Sequence, residues 1–534
     1  MQLNGLSSPT IDVRALTCLF LGIFVLAFGL WSRILKEHFF LSEPLLSTLF
    51  GVLLSPKVFD LLWFVPDGWD GNLAYDTARD TLTWFCRIII GIQVLFAAST
   101  LPSRWLLDRL NTKSMAVMLL PVMTLGWLVS TGLVKACLPG TSWTEALIIG
   151  ACIAPTDPVL ANSVVKGIYA ERHIPTHVRE LLVAESGLND GFGTPFLFVP
   201  IFAVLNHFNP FMTFQAFIIH TILYDVIFGS MLGIVVGYGA RKGLKVSRRN
   251  GTIDRESMLV FSVALALFTI GVGEVLGTNS LLACFFAGTA LNWTDGVRAE
   301  DLHSHFSEGI ELFFDSAVFL VLGTILPFDT WIDPTFLPLP NLVLLAILIL
   351  IFRRLPAVLA LYKMTPLIKT RKEAIFTGYF GPIGIGALYY ALMATDKLPD
   401  DFAKRNNIIA ATTFIIFSSI LVHGTSAPLI MLVSNIPSRS SQSQAIVRDA
   451  SSNTFPNEDL GPDETSALLS GTSRQQPGTW PRKHTDGRGS QGTHQQHITS
   501  DGSRHERQAY SAMDVHRRPD NDTHGGNLTG HDVA

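Results

Sequence analysis

The stretch Ile153-Ala154-Pro155-Thr156-Asp157-Pro158-Val159-Leu160-Ala161 sets two prolines around an acid in the middle of an apolar block. A second block is broken in a different way, by Gly378-Tyr379-Phe380-Gly381-Pro382-Ile383-Gly384-Ile385-Gly386. Proline removes a helical donor and clashes with the preceding turn. At membrane depth such backbone is tolerated only where protein or a wet cavity satisfies its polar groups. The two stretches therefore predict a pair of interrupted helices inside a polytopic membrane protein, with Pro155, Pro158, Gly381 and Pro382 marking the breaks.

The rest of the chain agrees. Of 534 residues, 48% are hydrophobic and 15% charged, against about 25% charged in an ordinary soluble domain. The polar residues gather at the end: 437–534 is rich in Ser, Gln, Gly, Thr, Arg and His. This segment holds too little apolar area to form a core and is read as a disordered tail. Residues 1–436 are a string of apolar blocks, many near the roughly 20 residues a membrane helix needs. Thirteen spans are expected, near 15–35, 42–65, 82–100, 114–137, 144–165, 177–205, 215–240, 257–276, 278–293, 310–327, 339–361, 373–395 and 406–434. The composition excludes a soluble globular enzyme and a secreted disulfide scaffold. A net charge of −4 gives no basic field for nucleic acid. The five cysteines lie in apolar blocks and read as buried thiols. No motif asks for a cofactor or an enzymatic centre.

Basic residues set the direction of threading, because short cytoplasmic loops are enriched in Lys and Arg. Alternate loops carry nineteen of them on one side and five on the other. The rich side is expected to be cytoplasmic, with the N-terminus outside and the tail inside. Spans 1–6 and 8–13 then run in opposite senses, and the breaks fall in the fifth span of each set, spans 5 and 12. Interrupted helices in matching positions of inverted repeats are a sequence-level pointer to a transporter's binding site.

Ionisable residues inside the membrane are functional hypotheses by default. Asp157 lies between the prolines of span 5. Span 6 carries Glu185-Ser186-Gly187-Leu188-Asn189-Asp190-Gly191. Glu185 and Asn189 share one helix face, and Ser186 and Asp190 share the adjacent one. Together with Thr156 at the break, these residues offer carboxylate, hydroxyl and amide oxygens suited to a hard cation such as Na+. Span 11 contains Arg353-Arg354, and a buried guanidinium needs an anion. Glu185 is the candidate for that anion, and the residues alone do not choose between Arg353 and Arg354.

At these residues the sequence resembles the fungal plasma-membrane Na+/H+ antiporters, of the electroneutral branch of monovalent cation:proton antiporters. The resemblance rests on Ala154–Ala161, Glu185–Gly191 and Gly381–Gly386, and it extends over residues 15–434. It implies thirteen membrane helices, with a six-helix core domain and a dimerisation domain, and hence a homodimer. It places the ion-binding acid at Asp190, the acid of the broken helix at Asp157, the branch-marking Asn at Asn189, and a structural Glu–Arg pair at Glu185 with Arg353 as first choice and Arg354 as the other option. The implied activity is electroneutral exchange of cytosolic Na+, with Li+ and K+ as further candidates, for external H+. Such exchange would serve salt tolerance and pH homeostasis at the plasma membrane. The segment Glu464 to Leu469 fits an acidic dileucine sorting pattern and keeps an endosomal or vacuolar membrane open. The chain departs from many relatives in lacking acids at Thr100, Asn279 and Ser280. Two other readings are weighed. A channel or sensor could use this fold without exchange, and Asp157 with Asp190 could form an intramembrane aspartyl-protease dyad, although no Gly-x-Gly-Asp signature is present.

Overall fold

A computed structural model of the chain describes residues 13–37, 41–64, 73–165, 174–293, 305–333, 337–399, 402 and 405–433. The chain divides into one unit over 1–441 and a second over 442–534. The tail read as disordered, 437–534, lies outside the described residues, as does the sorting pattern. Among the described residues every regular element is helical.

The helices follow the expected spans in order: α1 Val13–Glu37, α2 Glu43–Leu54, α3 Leu73–Thr100, α4 Arg109–Cys137, α6 Thr176–Leu205, α7 Pro210–Asn250, α8 Arg255–Leu276, α9 Ser280–Leu291, α10 His305–Thr324 and α13 Arg405–Val433. Three more are in two pieces parted by at least two residues. These are α5 (Trp143–Cys152 and Pro158–Val165), α11 (Leu339–Phe352 and Leu355–Leu361) and α12 (Arg371–Tyr379 and Ile385–Lys397). The breaks in α5 and α12 are the expected ones. The span expected over 339–361 is present, with a break at 353–354 that the sequence reading did not single out. Pro356 lacks the N–H that would bond the Phe352 carbonyl four residues back, so the ladder stops at Arg353-Arg354. Span 2, expected to reach 65, ends as a helix at Leu54.

Among the described residues, seven helices are long and apolar enough to cross a membrane, and four further apolar helices are shorter. Their outward faces are apolar too: Leu344, Ile347 and Ile351 on α11 and Met231 and Val235 on α7 are exposed. A water-soluble protein does not display so much contiguous apolar surface. The protein is thus an all-α polytopic membrane protein.

Packing sorts the helices into two groups. α4, α5, α6, α11, α12 and α13 pack on one another, while α3, α7, α8 and α9 form a second set that continues through α3 to the paired α2 and α10. The groups meet where α3 and α9 lie against α6 and where α3 lies against α12. Glycines permit the tightest approaches along this seam. A Cβ at Gly191 of α6 would stand 2.7 Å from the Leu282 nitrogen of α9.

Candidate functional site

The two breaks meet. The Asp157 N–H donates to the Pro382 carbonyl at 2.8 Å, joining the interruption of α5 to that of α12. Each interruption leaves orphan groups, carbonyls at the end of the first half and N–H groups at the start of the second. Two charged residues satisfy them. The Asp157 carboxylate accepts from the Leu160 N–H at 2.9 Å and from the Ile385 N–H at 2.8 Å, so one side chain caps the second halves of both helices. The Arg353 guanidinium does the reverse. It donates to the carbonyls of Ile153, Ala154 and Pro155 at 2.6, 3.1 and 3.2 Å, and also to the Gly381 carbonyl. Acid on the N-terminal ends and base on the C-terminal ends is the arrangement that helix dipoles favour.

Arg353 is therefore occupied, and the partner of Glu185 is Arg354. Its two terminal nitrogens reach the two carboxylate oxygens of Glu185, one of them at 2.6 Å, and its Nε donates to the Thr377 carbonyl at 3.0 Å. This corrects the preference for Arg353. Consecutive side chains at a helix break point in different directions, and the sequence does not say which of the two faces α6. Both partners are buried, Glu185 at 3% and Arg354 at 8% exposure, so removing either would leave the other an uncompensated buried group.

Along α6 the four-residue spacing behaves as expected. Asn189 lies one turn beyond Glu185 and locks onto the α5 break: its Nδ2 donates to Thr156 Oγ1 at 2.7 Å, and its Oδ1 accepts from the Thr156 N–H at 3.3 Å. Ser186 turns back on its own helix, donating to the Val183 carbonyl at 3.3 Å. Asp190 is different. It is 1% exposed, and neither carboxylate oxygen has a hydrogen-bond partner among the described residues. Its surroundings are built to admit it. A Cβ at Gly386 would collide with Asp190, and one at Gly384 would collide with Asp157. Two glycines two positions apart thus seat both acids against the start of the second half of α12, where the two carboxylates interact electrostatically. An orphan buried carboxylate is costly unless something binds it.

Several contacts were not read from the sequence, some of them made by residues it had singled out only for a missing acid. Tyr390 donates its hydroxyl to the Asp190 main-chain carbonyl at 2.5 Å. Asn279 bonds the Gly191 carbonyl and Thr194 Oγ1, both at 2.7 Å. Ser280 donates to Glu274 at 2.7 Å, and Glu274 pairs with Arg87 at 2.9 Å. On α10, Asp315 accepts from Gln93 of α3 at 2.5 Å. Arg87, Glu274 and Asp315 were visible as charges within apolar blocks, but their partners lie up to 222 residues away in sequence. Thr100, where an acid was missed, bonds the Ala97 carbonyl of its own helix at 2.8 Å.

The comparisons point the same way as the geometry. The family model for the transmembrane part of sodium/hydrogen exchangers matches residues 20–433. A probable Na+/H+ antiporter of Schizosaccharomyces pombe is 40% identical over 435 residues, covering 77% of this chain and 55% of that protein. Na+/H+ antiporter 2 of Zygosaccharomyces rouxii is 38% identical over 431 residues, covering 77% and 52%. The chain spans about half the length of these two curated relatives. Another S. pombe Na+/H+ antiporter is 33% identical over 437 residues, covering 79% of this chain and 91% of its own length. The fold is similar to that of the sodium proton antiporter MjNhaP1 of Methanocaldococcus jannaschii, with a TM-score of 0.60 at 17% identity over 79% of this chain and 99% of that one. Crossed helix breaks capped by one acid and one base, and a family match that runs across the whole helical unit, make this chain a member of the sodium/hydrogen exchanger family.

Proposed function

We propose that the chain is a secondary active antiporter that exchanges cytosolic Na+ for external H+, one for one, at Asp190. The observation that carries this reading is the buried Asp190 carboxylate with no partner for either oxygen among the described residues. A carboxylate so placed can be neutralised by a proton or by a small cation, and the two compete for the same oxygens. Asp157 adds a second negative charge beside it, and Thr156, Ser186 and Asn189 supply neutral oxygens. Asn189 does not titrate, which keeps the count at one proton per cation and net charge movement at zero. Loaded with either ion, the Asp190 carboxylate is neutralised and the group carrying α5, α6 and α12 can slide past α3 and α9. Empty and charged, it meets a desolvation barrier at the seam. Alternating access of this kind is the general mode of such folds.

The same reading extends to context. Residues 1–436 are the membrane transport domain and 437–534 a cytoplasmic tail, with the N-terminus outside, as the distribution of Lys and Arg supports. The plasma membrane is the proposed location, a homodimer the proposed assembly, and Li+ and K+ the further cations to examine. The test is exchange by purified protein in vesicles with Na+, Li+ and K+ in turn. Asp190→Asn should abolish cation-dependent proton flux, and normal exchange in that variant would remove Asp190 from the site.

A further inference from the structure

Pro195 has no N–H, so the carbonyl of Gly191, four residues earlier, loses its helical partner. That carbonyl follows directly on Asp190. It is satisfied by the Thr194 hydroxyl at 3.1 Å and, from another helix, by Asn279 Nδ2 at 2.7 Å. Asn279 precedes α9, and its Oδ1 accepts from the Leu282 N–H at 3.0 Å as the N-cap of that helix. Its partners fix the amide orientation, because a carbonyl oxygen cannot donate to Gly191. The Asp190 carbonyl is held separately, by Tyr390 of α12. The backbone bearing the orphan carboxylate is thus fastened twice: by Tyr390 within its own helix group, and by Asn279 across the seam to the other.

Resting on the exchange reading above, we propose that Asn279 is a positioning residue for transport. A permanent, uncharged donor, it pins the backbone beyond Asp190 to α9 in this conformation and releases it when the two helix groups slide. The Tyr390 bond travels with the site; the Asn279 bond must break, leaving Gly191 with one fewer partner. Asn279 therefore sets the balance between conformations rather than the affinity of Asp190 for its ion.

Asn279→Asp isolates the donor, since Asp caps a helix about as well as Asn and the fold is kept. The titratable and charged groups around this corner are Asp190 on α6, Tyr390 on α12, Arg87 on α3, Glu274 on α8 and Asp225 on α7, and all are common to the variant and its parent. Full-length variant and parent in vesicles are compared for Na+-driven exchange across pH. Protonated, the new carboxyl can still donate to Gly191, and the maximal rate follows the parent's. Ionised, it faces two oxygens with nothing to donate. The maximal rate then departs by about tenfold, equivalent to ~1.4 kcal/mol, while the apparent KM for Na+ moves by less than about twofold. Asn279→Ala departs at every pH. Hydrogen exchange at the amides of 192–194, 196 and 197 should rise in Asn279→Asp only on the alkaline side. An Asn279→Asp protein that tracks its parent at every pH in both rate and hydrogen exchange overturns the proposal. If the parent itself fails to exchange ions, the functional reading fails instead, and hydrogen exchange alone still decides whether Asn279 pins α6.

Discussion

Gly386 faces Asp190 so closely that a Cβ at position 386 would stand 2.5 Å from the carboxylate Oδ1. Gly386 is helical, in the first turn of the second half of α12. Alanine favours a helix over glycine by about 1 kcal/mol, so Gly386→Ala should fold as well as the parent while pushing the carboxylate out of place. The expected result is an unchanged or higher melting temperature with an apparent Na+ affinity at least about tenfold weaker, ~1.4 kcal/mol. Unchanged Na+ affinity would show that the contact has no bearing on the ion.

Competition at one carboxylate has a signed pH dependence. Protons occupy the oxygens that Na+ needs, so lowering the pH weakens Na+ binding and raising it strengthens binding up to the point where the acid is fully ionised. On the acidic limb the apparent KM for Na+ should rise by about tenfold for each unit of pH, one proton's worth, with the maximal rate at saturating Na+ little altered. Initial rates over a Na+ and pH matrix measure this. A slope near two protons would break the one-for-one count.

The Glu185–Arg354 pair is buried, so removing one member strands the other. Arg354→Ala or Glu185→Ala alone should destabilise the protein by roughly 3–5 kcal/mol. The paired replacement Glu185→Leu with Arg354→Met should recover most of that loss. Thermal unfolding in detergent distinguishes the two outcomes. If the paired variant also exchanges ions, the pair is scaffold; if it folds but is inactive, the pair acts on transport.

Asp157 caps two helix halves, and each cap is worth roughly 0.5–2 kcal/mol. Asp157→Asn keeps one acceptor and should lose about one cap, whereas Asp157→Ala should lose both. Melting temperatures are expected to fall in the order parent, Asn, Ala. Equal melting temperatures for Asn and Ala would mean that only one of the Leu160 and Ile385 bonds stabilises the fold.

The breaks were legible because Pro155, Pro158 and Pro382 act locally: a missing N–H and a ring clash do not depend on what lies elsewhere in the chain. The spacing of Glu185, Ser186, Asn189 and Asp190 was legible for the same reason, since the pitch of a helix assigns faces. Pro356 carried an equally local signal for the break in α11, masked by the strong apolar run around it. What could not be read was partnership. Arg353 and Arg354 are neighbours of identical chemistry, and the choice between them is made by which one faces α6 and which one the α5 and α12 carbonyls.

The sequence by itself determined that this is a polytopic helical protein with two interrupted helices and acids at membrane depth. Those properties follow from hydropathy, proline and helical period, all short-range. Only the tertiary structure decided that Asp157 and Arg353 satisfy the broken backbone while Asp190 is left without a partner among the described residues. Hydrogen-bond satisfaction is a sum over groups brought together from distant segments, and no segment holds that sum alone.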